Sequence, residues 1–316
     1  MNKLYKLRLL FALIFMALSH HSFADSNVEG DVDVDVTVEN VISAAIGNQN
    51  ESEVNIGSIK DSDIGGAVNV DVDANNVISA AIGTAAESEV NIGSVVGSNI
   101  GGDATIDVET ANVISAAIGA GVLSDVNVGA VIDSSIGGDV DIDVNADNII
   151  SAAIGAGAAS EVNVGSVTDS NIGGDANIDV NTQNVISAAI GAGALSEVNA
   201  GAVKNSTVSG SANIDVNTGN IVSAAIGAGV ASDVLAGSVR NSAVGGNVDI
   251  TVNTGNLVGA AIGVGQNSKL HVGSVKNAAV GGNARINVST GDLAAYSIGA
   301  GGFRSSNEVD IGNIGN

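Results

Sequence analysis

Apolar and polar side chains alternate over most of this chain. Glu53-Val54-Asn55-Ile56 and Ile178-Asp179-Val180-Asn181 put an apolar residue at every second position, the period of a strand with one face buried. Two longer periods overlie the alternation. Asn40 recurs as Asn76, Asn112, Asn148, Asn184, Asn220 and Asn256, with Asp292 last, at a spacing of 36 without an inserted or deleted residue. At half that spacing an Ile or Val recurs at 28, 46, 64 and every eighteenth position to 298, followed by Gly except at Glu29 and Ser209. A second apolar column runs from Val36, Val54 and Val72 to Val288, broken only by Leu270, and a third from Val41, Ile59 and Val77 to Leu293.

Self-similarity at a fixed period is the signature of a stacked repeat. The pattern predicts an all-β fold, a β-solenoid of about sixteen 18-residue coils with stacked parallel strands, in which 36 is a double repeat of two alternating coil versions. Each coil is expected to hold two short strands, with corners at Gly47-Asn48-Gln49 and Gly57-Ser58. Ala44 and Ile46 are expected to share the inward parity of Val54. A three-sided coil of hexapeptides also suits 18 residues, although the apolar columns through 41, 44, 46, 50 and 54 do not fall six apart. Sixteen coils at about 4.8 Å each would make a rod about 75 Å long.

The first residues depart from the repeat. Lys3, Lys6 and Arg8 precede an apolar run from Leu9 to Leu18, and Ser22-Phe23-Ala24 supplies small residues for cleavage. The run is too short to cross a bilayer as a helix, so residues 1–24 are predicted to be a cleaved secretory signal. The solenoid is then expected over 25–291, with a divergent C-terminal coil or cap over 292–316, where three residues are inserted after Gly301. The protein is expected to be secreted, extracellular or at the cell surface.

Composition narrows the interior. Past residue 24 the only aromatics are Tyr296 and Phe303, and the chain has no Pro and no Cys. Val, Ile and Ala must fill a thin core, and no disulfide supports the fold. Removing the signal leaves seven basic against 34 acidic residues, a net charge of −27. So negative a surface argues against nucleic acid and anionic membranes as partners. No second apolar segment supports membrane insertion.

Two polar columns flank the Val54 column and carry the candidate chemistry. The acids before it include Asp71, Glu89, Asp107, Asp125, Asp143, Glu161 and Asp179. Carboxylates about 4.8 Å apart repel by roughly 0.9 kcal/mol per neighbouring pair in water, less in salt. They are a solvated face that blocks lateral aggregation, or a ladder whose repulsion a cation or a proton relieves. Calcium is the one cofactor they offer, and no defined calcium loop is present. After the Val54 column stand Asn55, Asn91, Asn127, Asn163 and Asn199, expected to form a stacked amide ladder. His271 occupies a ladder position as a tolerated substitution.

With one histidine past the signal, no cysteine and corners of constant length, the chain is not read as an enzyme. A carbohydrate-active β-helix is the distant catalytic alternative. Charge is unevenly spread. Asp31, Asp33 and Asp35 crowd the start, whereas six of the seven basic residues, Lys269, Lys276 and Arg285 among them, lie from Lys204 onward. This asymmetry is expected to steer head-to-tail self-association.

The stretch Ala44-Ala45-Ile46-Gly47-Asn48-Gln49-Asn50-Glu51-Ser52-Glu53-Val54-Asn55 resembles the strand, corner and strand of curli subunits and related bacterial functional amyloids. The likeness covers the chain in style; curli repeats carry inward Ser, Gln and Asn where this sequence has Val, Ile and Ala. The resemblance implies a secreted fibre subunit of a biofilm matrix, with an outer-membrane export or nucleator protein as partner. A monomeric rigid spacer or adhesin, with Tyr296 and Phe303 at its binding tip, is the other reading.

Overall fold

The computed structural model describes residues 26–299 and 306–315; the predicted signal and Phe303 lie outside them. Every described strand runs parallel to its neighbours, in four ladders that climb together. The first turn shows the plan. After a three-residue strand β1, Ser26–Val28, a 17-residue strand β2, Val32–Asn48, is followed by β3, Glu51–Ile56, then by two short strands, β4, Ile59–Lys60, and β5, Ser62–Ile64. β6, Val68–Thr84, then stacks on β2 with Val32 opposite Val68 and Ile46 opposite Ile82. The all-β, parallel-stacked solenoid expected from the periodicity is the fold.

The pairing step is 36 residues in all four ladders, except onto the last turn, where the three inserted residues make it 39 in the returning strand and the short strand after it. The expectation of sixteen 18-residue coils is therefore corrected to about eight turns of 36, and the rod to roughly 38 Å at about 4.8 Å per turn. The 18-residue period is real but marks two unlike halves of one turn. Its physical reason is burial. Ile64, Ile100, Ile136 and Ile172 are buried, while Ile82, Ile118, Ile154 and Ile190, the alternate members of the same column, are about 40% exposed.

Parity inverts inside the long strand. Val68, Val70, Val72 and Ala74 point inward, then Val77, Ser79 and Ala81 do. The switch falls between Ala74 and Asn76, and the equivalent residue one turn on, Ala111, has no ladder partner. One unpaired residue per turn acts as a bulge that exchanges the two faces. Ala44 and Ile46, expected inward, consequently face out.

Two apolar compartments result. Val and Ile of all four ladders fill the larger one. A thin second compartment, from Ala81 and Ala86 to Ala261, lies between the end of the long strand and the start of the returning strand. Together these two strands form an arm two layers thick. Small residues are required at the tip, because a Cβ on Gly155 would lie 1.4 Å from the carbonyl oxygen of Gly119 in the turn below.

Candidate functional site

A continuous zigzag of hydroxyls separates the two compartments. Ser79 Oγ donates to the Ser52 carbonyl at 2.7 Å, and Ser88 Oγ meets Ser79 Oγ at 2.9 Å. The chain continues through Ser115, Ser124, Ser151, Ser160, Ser187 and Ser196 with every oxygen pair at 2.8–2.9 Å. These serines are almost wholly buried. Buried hydroxyls are tolerated when each has a partner, and a connected chain pins strand register as an apolar contact does not. The 18-residue reading missed them, because Ser43 and Ser52 are fixed only at the 36-residue step. The zigzag stops where Gly259 replaces Ser223's equivalent, leaving Ser268 Oγ without a partner.

The amide column stands in the returning strand. Asn91, Asn127, Asn163 and Asn199 each donate Nδ2 to the Oδ1 of the asparagine one turn below, at 2.8–2.9 Å, beginning at Asn55. All but Asn55 are buried, in an elbow between this strand and the next short one. Above Asn199 the column continues with Leu235 and His271, and Asn199 Oδ1 has no donor. A second ladder, from Asn40 through Asn76 and Asn112 to Asn256, runs up the outside of the long strand. It is the column that marks the 36-residue period.

The acids anticipated as one line divide between two sheets. Asp71, Asp107, Asp143 and Asp179 share one column on the long strand, and Glu89, Asp125 and Glu161 share another on the returning strand. Consecutive members of the sequence column are therefore not neighbours in space. Partial burial, with the charge of the neighbouring aspartates, raises the carboxyl groups of Asp107, Asp143 and Asp179 above the ordinary range.

The second column lies in the elbow, where cations reach it from seven residues ahead. Lys60 pairs with Glu53 at 2.6 Å and Glu89 at 3.4 Å, Lys204 with Glu197, and Arg240 with Asp233 at 2.6 Å. Burial alone would raise Glu53, and Lys60 overcomes it to hold the carboxyl below the usual value. Asp125 and Glu161 lack such a cation, since the corresponding residues are Ile132 and Thr168. Burial, then the charges of Glu161 and Glu89, push Asp125 up to about 7. Burial and Glu197 raise Glu161.

One further group gathers ligand types. His271, Glu308 and Asp310 present side-chain atoms within 4.8 Å of one another, with the imidazole buried and Nδ1 3.1 Å from Asp310. The ammonium of Lys276 already lies against both carboxylates, 2.9 Å from Asp310. Burial, the largest influence, holds His271 below its ordinary pKa. Lys276 with the two carboxylates forms an ion-pair network stapling turn eight to turn seven, beside an imidazole whose two nitrogens have no hydrogen-bond partner.

The residues assigned to the ends are differently employed. Asp31 accepts from the Ala67 backbone N–H at 2.8 Å and Asp33 from Asn69 Nδ2 at 2.9 Å, while Asp35 stacks on Asp71. Lys269 and Lys276 belong to turn seven, beneath Glu308 and the strand that carries it. Arg285, 3.3 Å from Asp249, is in the last turn and exposed. Tyr296, half exposed, stands where earlier turns have Ala.

No protein-family model matches this chain, and no curated protein or solved structure matches it.

Proposed function

We propose that this chain is an extracellular structural protein whose rods join end to end into fibres of a biofilm matrix or surface coat. The observation that carries the reading is the state of the two ends. Val32, Val34 and Val36 in turn one are half-buried, although their equivalents Val68, Val70 and Val72 are 2% exposed or less. At the other end Ala284, Ile286 and Val288 are likewise half-buried. Each end thus offers strand edges and an open core of the same cross-section, and turn one of a second copy continues turn eight of the first. Open edges of this kind template further pairing.

The reading assigns no catalytic residue. The likeness to curli subunits enters through architecture, a secreted stack of β-turns with internal amide ladders, and brings an outer-membrane export or nucleator protein as the expected partner. Growth of purified residues 25–316, followed by electron microscopy and thioflavin fluorescence with and without sheared seeds, tests it. Seeded fibres are expected, and charge reversal at Arg285 slows their elongation. A soluble rod at every concentration removes the fibre reading. It would favour a rigid spacer or adhesin, which half-exposed Tyr296 on the last turn supports as a binding tip.

A further inference from the structure

The parity switch gives the arm an apolar outer face. Beyond the Asn40 ladder, three outward columns climb the rod: Ile42 to Val258, Ala44 to Ala260, and Ile46 to Ile262. The inner turns of the third column, Ile82 to Ile226, remain 38–42% exposed, and Ile46 is 79% exposed. Isoleucine on both sides of alanine, with valine only at Val222 and Val258, makes a groove between two ridges that runs up seven turns. At the eighth, Tyr296 fills the groove.

From this face we infer an interface between two copies of this chain, packed arm to arm with an isoleucine ridge of each seated in the alanine groove of the other. Three observations select a second copy as the occupant. First, the side chains repeat every 36 residues at about 4.8 Å, and a partner fills every hollow only if it carries the same spacing, as the opposed faces of a steric zipper do. Second, these columns hold no charged residue, in a chain whose net charge past the signal is −27. Identical acidic rods repel everywhere except across such a neutral face.

Third, the size is sufficient. Seven turns by five residues give roughly 34 Å by 16 Å, or about 540 Å² per copy and about 1,100 Å² in total, which clears the area a specific interface needs. The contact is isologous, so one two-fold operation satisfies both faces and closes the dimer. Tyr296 limits sliding, since identical rungs would otherwise pair in any register. Pairing leaves the acidic elbow on the opposite side of the arm free, and leaves both rod ends open for elongation.

The pairing is independent of end-to-end growth and is measured on unpolymerised protein. Sedimentation velocity of residues 25–316 before fibre formation is expected to show a dimer. The double substitution Ile118→Asp and Ile154→Asp is expected to give a monomer of unchanged circular dichroism, with at least a hundredfold weaker association. Asp143→Asn, on the other half of the long strand, leaves the dimer intact. Should the double variant fail to fold, Ala152→Cys in the groove tests the contact. Mild oxidation is expected to cross-link its dimer, whereas Asp143→Cys remains unlinked. Wild type sedimenting as a monomer at 100 µM or so, or a double variant that dimerises like wild type, overturns the proposal. Fibres that grow as single filaments would overturn the pairing while leaving the fibre reading in place.

Discussion

Thr168 stands seven residues after Glu161, at the position from which Lys204 reaches Glu197 and Lys60 reaches Glu53. Its hydroxyl is buried without a hydrogen-bond partner. The acid column is thus neutralised at both ends of the rod and left bare in the middle. Thr168→Lys is expected to supply the missing cation and stabilise the rod by about 1 kcal/mol at pH 8, a value suited to a partly screened pair. Lys204→Thr is expected to cost about as much. Urea midpoints at pH 8 check both, and no gain for Thr168→Lys would mean that the bare segment is not under charge strain.

Asp125 makes stability depend on pH. Its folded carboxyl titrates near 7 against an ordinary value of 3.8, so the folded state holds the proton more tightly. That contribution is fully present below pH 3.8, declines as the pH rises, and is gone above about 7. By linkage the loss is on the order of 4 kcal/mol. Glu53 and Asp310, both held low by lysines, act oppositely and lose their stabilisation only as the pH falls through the acid range. Stability should therefore peak near about pH 4, where the low carboxylates are already ionised and most of the Asp125 contribution remains, and fall until about pH 7. Asp125→Asn is expected to flatten the fall, as read from denaturation curves across that range; parallel curves for the two proteins would contradict it.

The hydroxyl zigzag has a natural gap. A Cβ on Gly259 would lie 3.0 Å from the unpartnered Ser268 Oγ, a flexible atom that can yield. Gly259→Ser is expected to extend the chain by one hydroxyl and stabilise by about 1 kcal/mol. Ser151→Ala, in mid-chain, removes a donor to the Ser124 carbonyl at 2.7 Å and should cost about 2 kcal/mol. Thermal unfolding of the two variants must move in opposite directions.

Two glycines of the arm tip separate crowding from backbone preference. Gly155→Ala places a methyl on the Gly119 oxygen, whereas a Cβ on Gly121 meets nothing within 4 Å, at φ +66. The first should prevent folding of the stack locally, and the second should cost about 1 kcal/mol through its left-handed backbone. Hydrogen exchange of the arm amides distinguishes them.

Much of this was legible in the chain because a solenoid repeats its environment. The valines at 54, 72 and 90 announced strands, a buried column and a fixed stacking step. What the 18-residue period concealed was that two equal halves need not be two coils. Val36 and Val54 are alike because both line the core, and Ile46 and Ile64 look alike although one is outside. Only the unpaired residue before Asn76, which no composition rule flags, inverts the parity. The asparagine ladder could be anticipated from a column of amides. The pairing of Lys204 with Glu197 could not, since it depends on the elbow that brings residues seven apart together.

The mass per length of fibres grown from residues 25–316, measured by scanning transmission electron microscopy, tests the stacked 36-residue turn most directly. The chain weighs 30.7 kDa over 316 residues, so one turn per about 4.8 Å corresponds to roughly 0.7 kDa per Å in a single filament and roughly 1.5 kDa per Å when two pair through their isoleucine faces. Either value supports end-to-end stacking, and the higher one supports the pairing as well. Roughly 0.4 kDa per Å, the density of 18-residue coils, or rods that never join, would contradict the account.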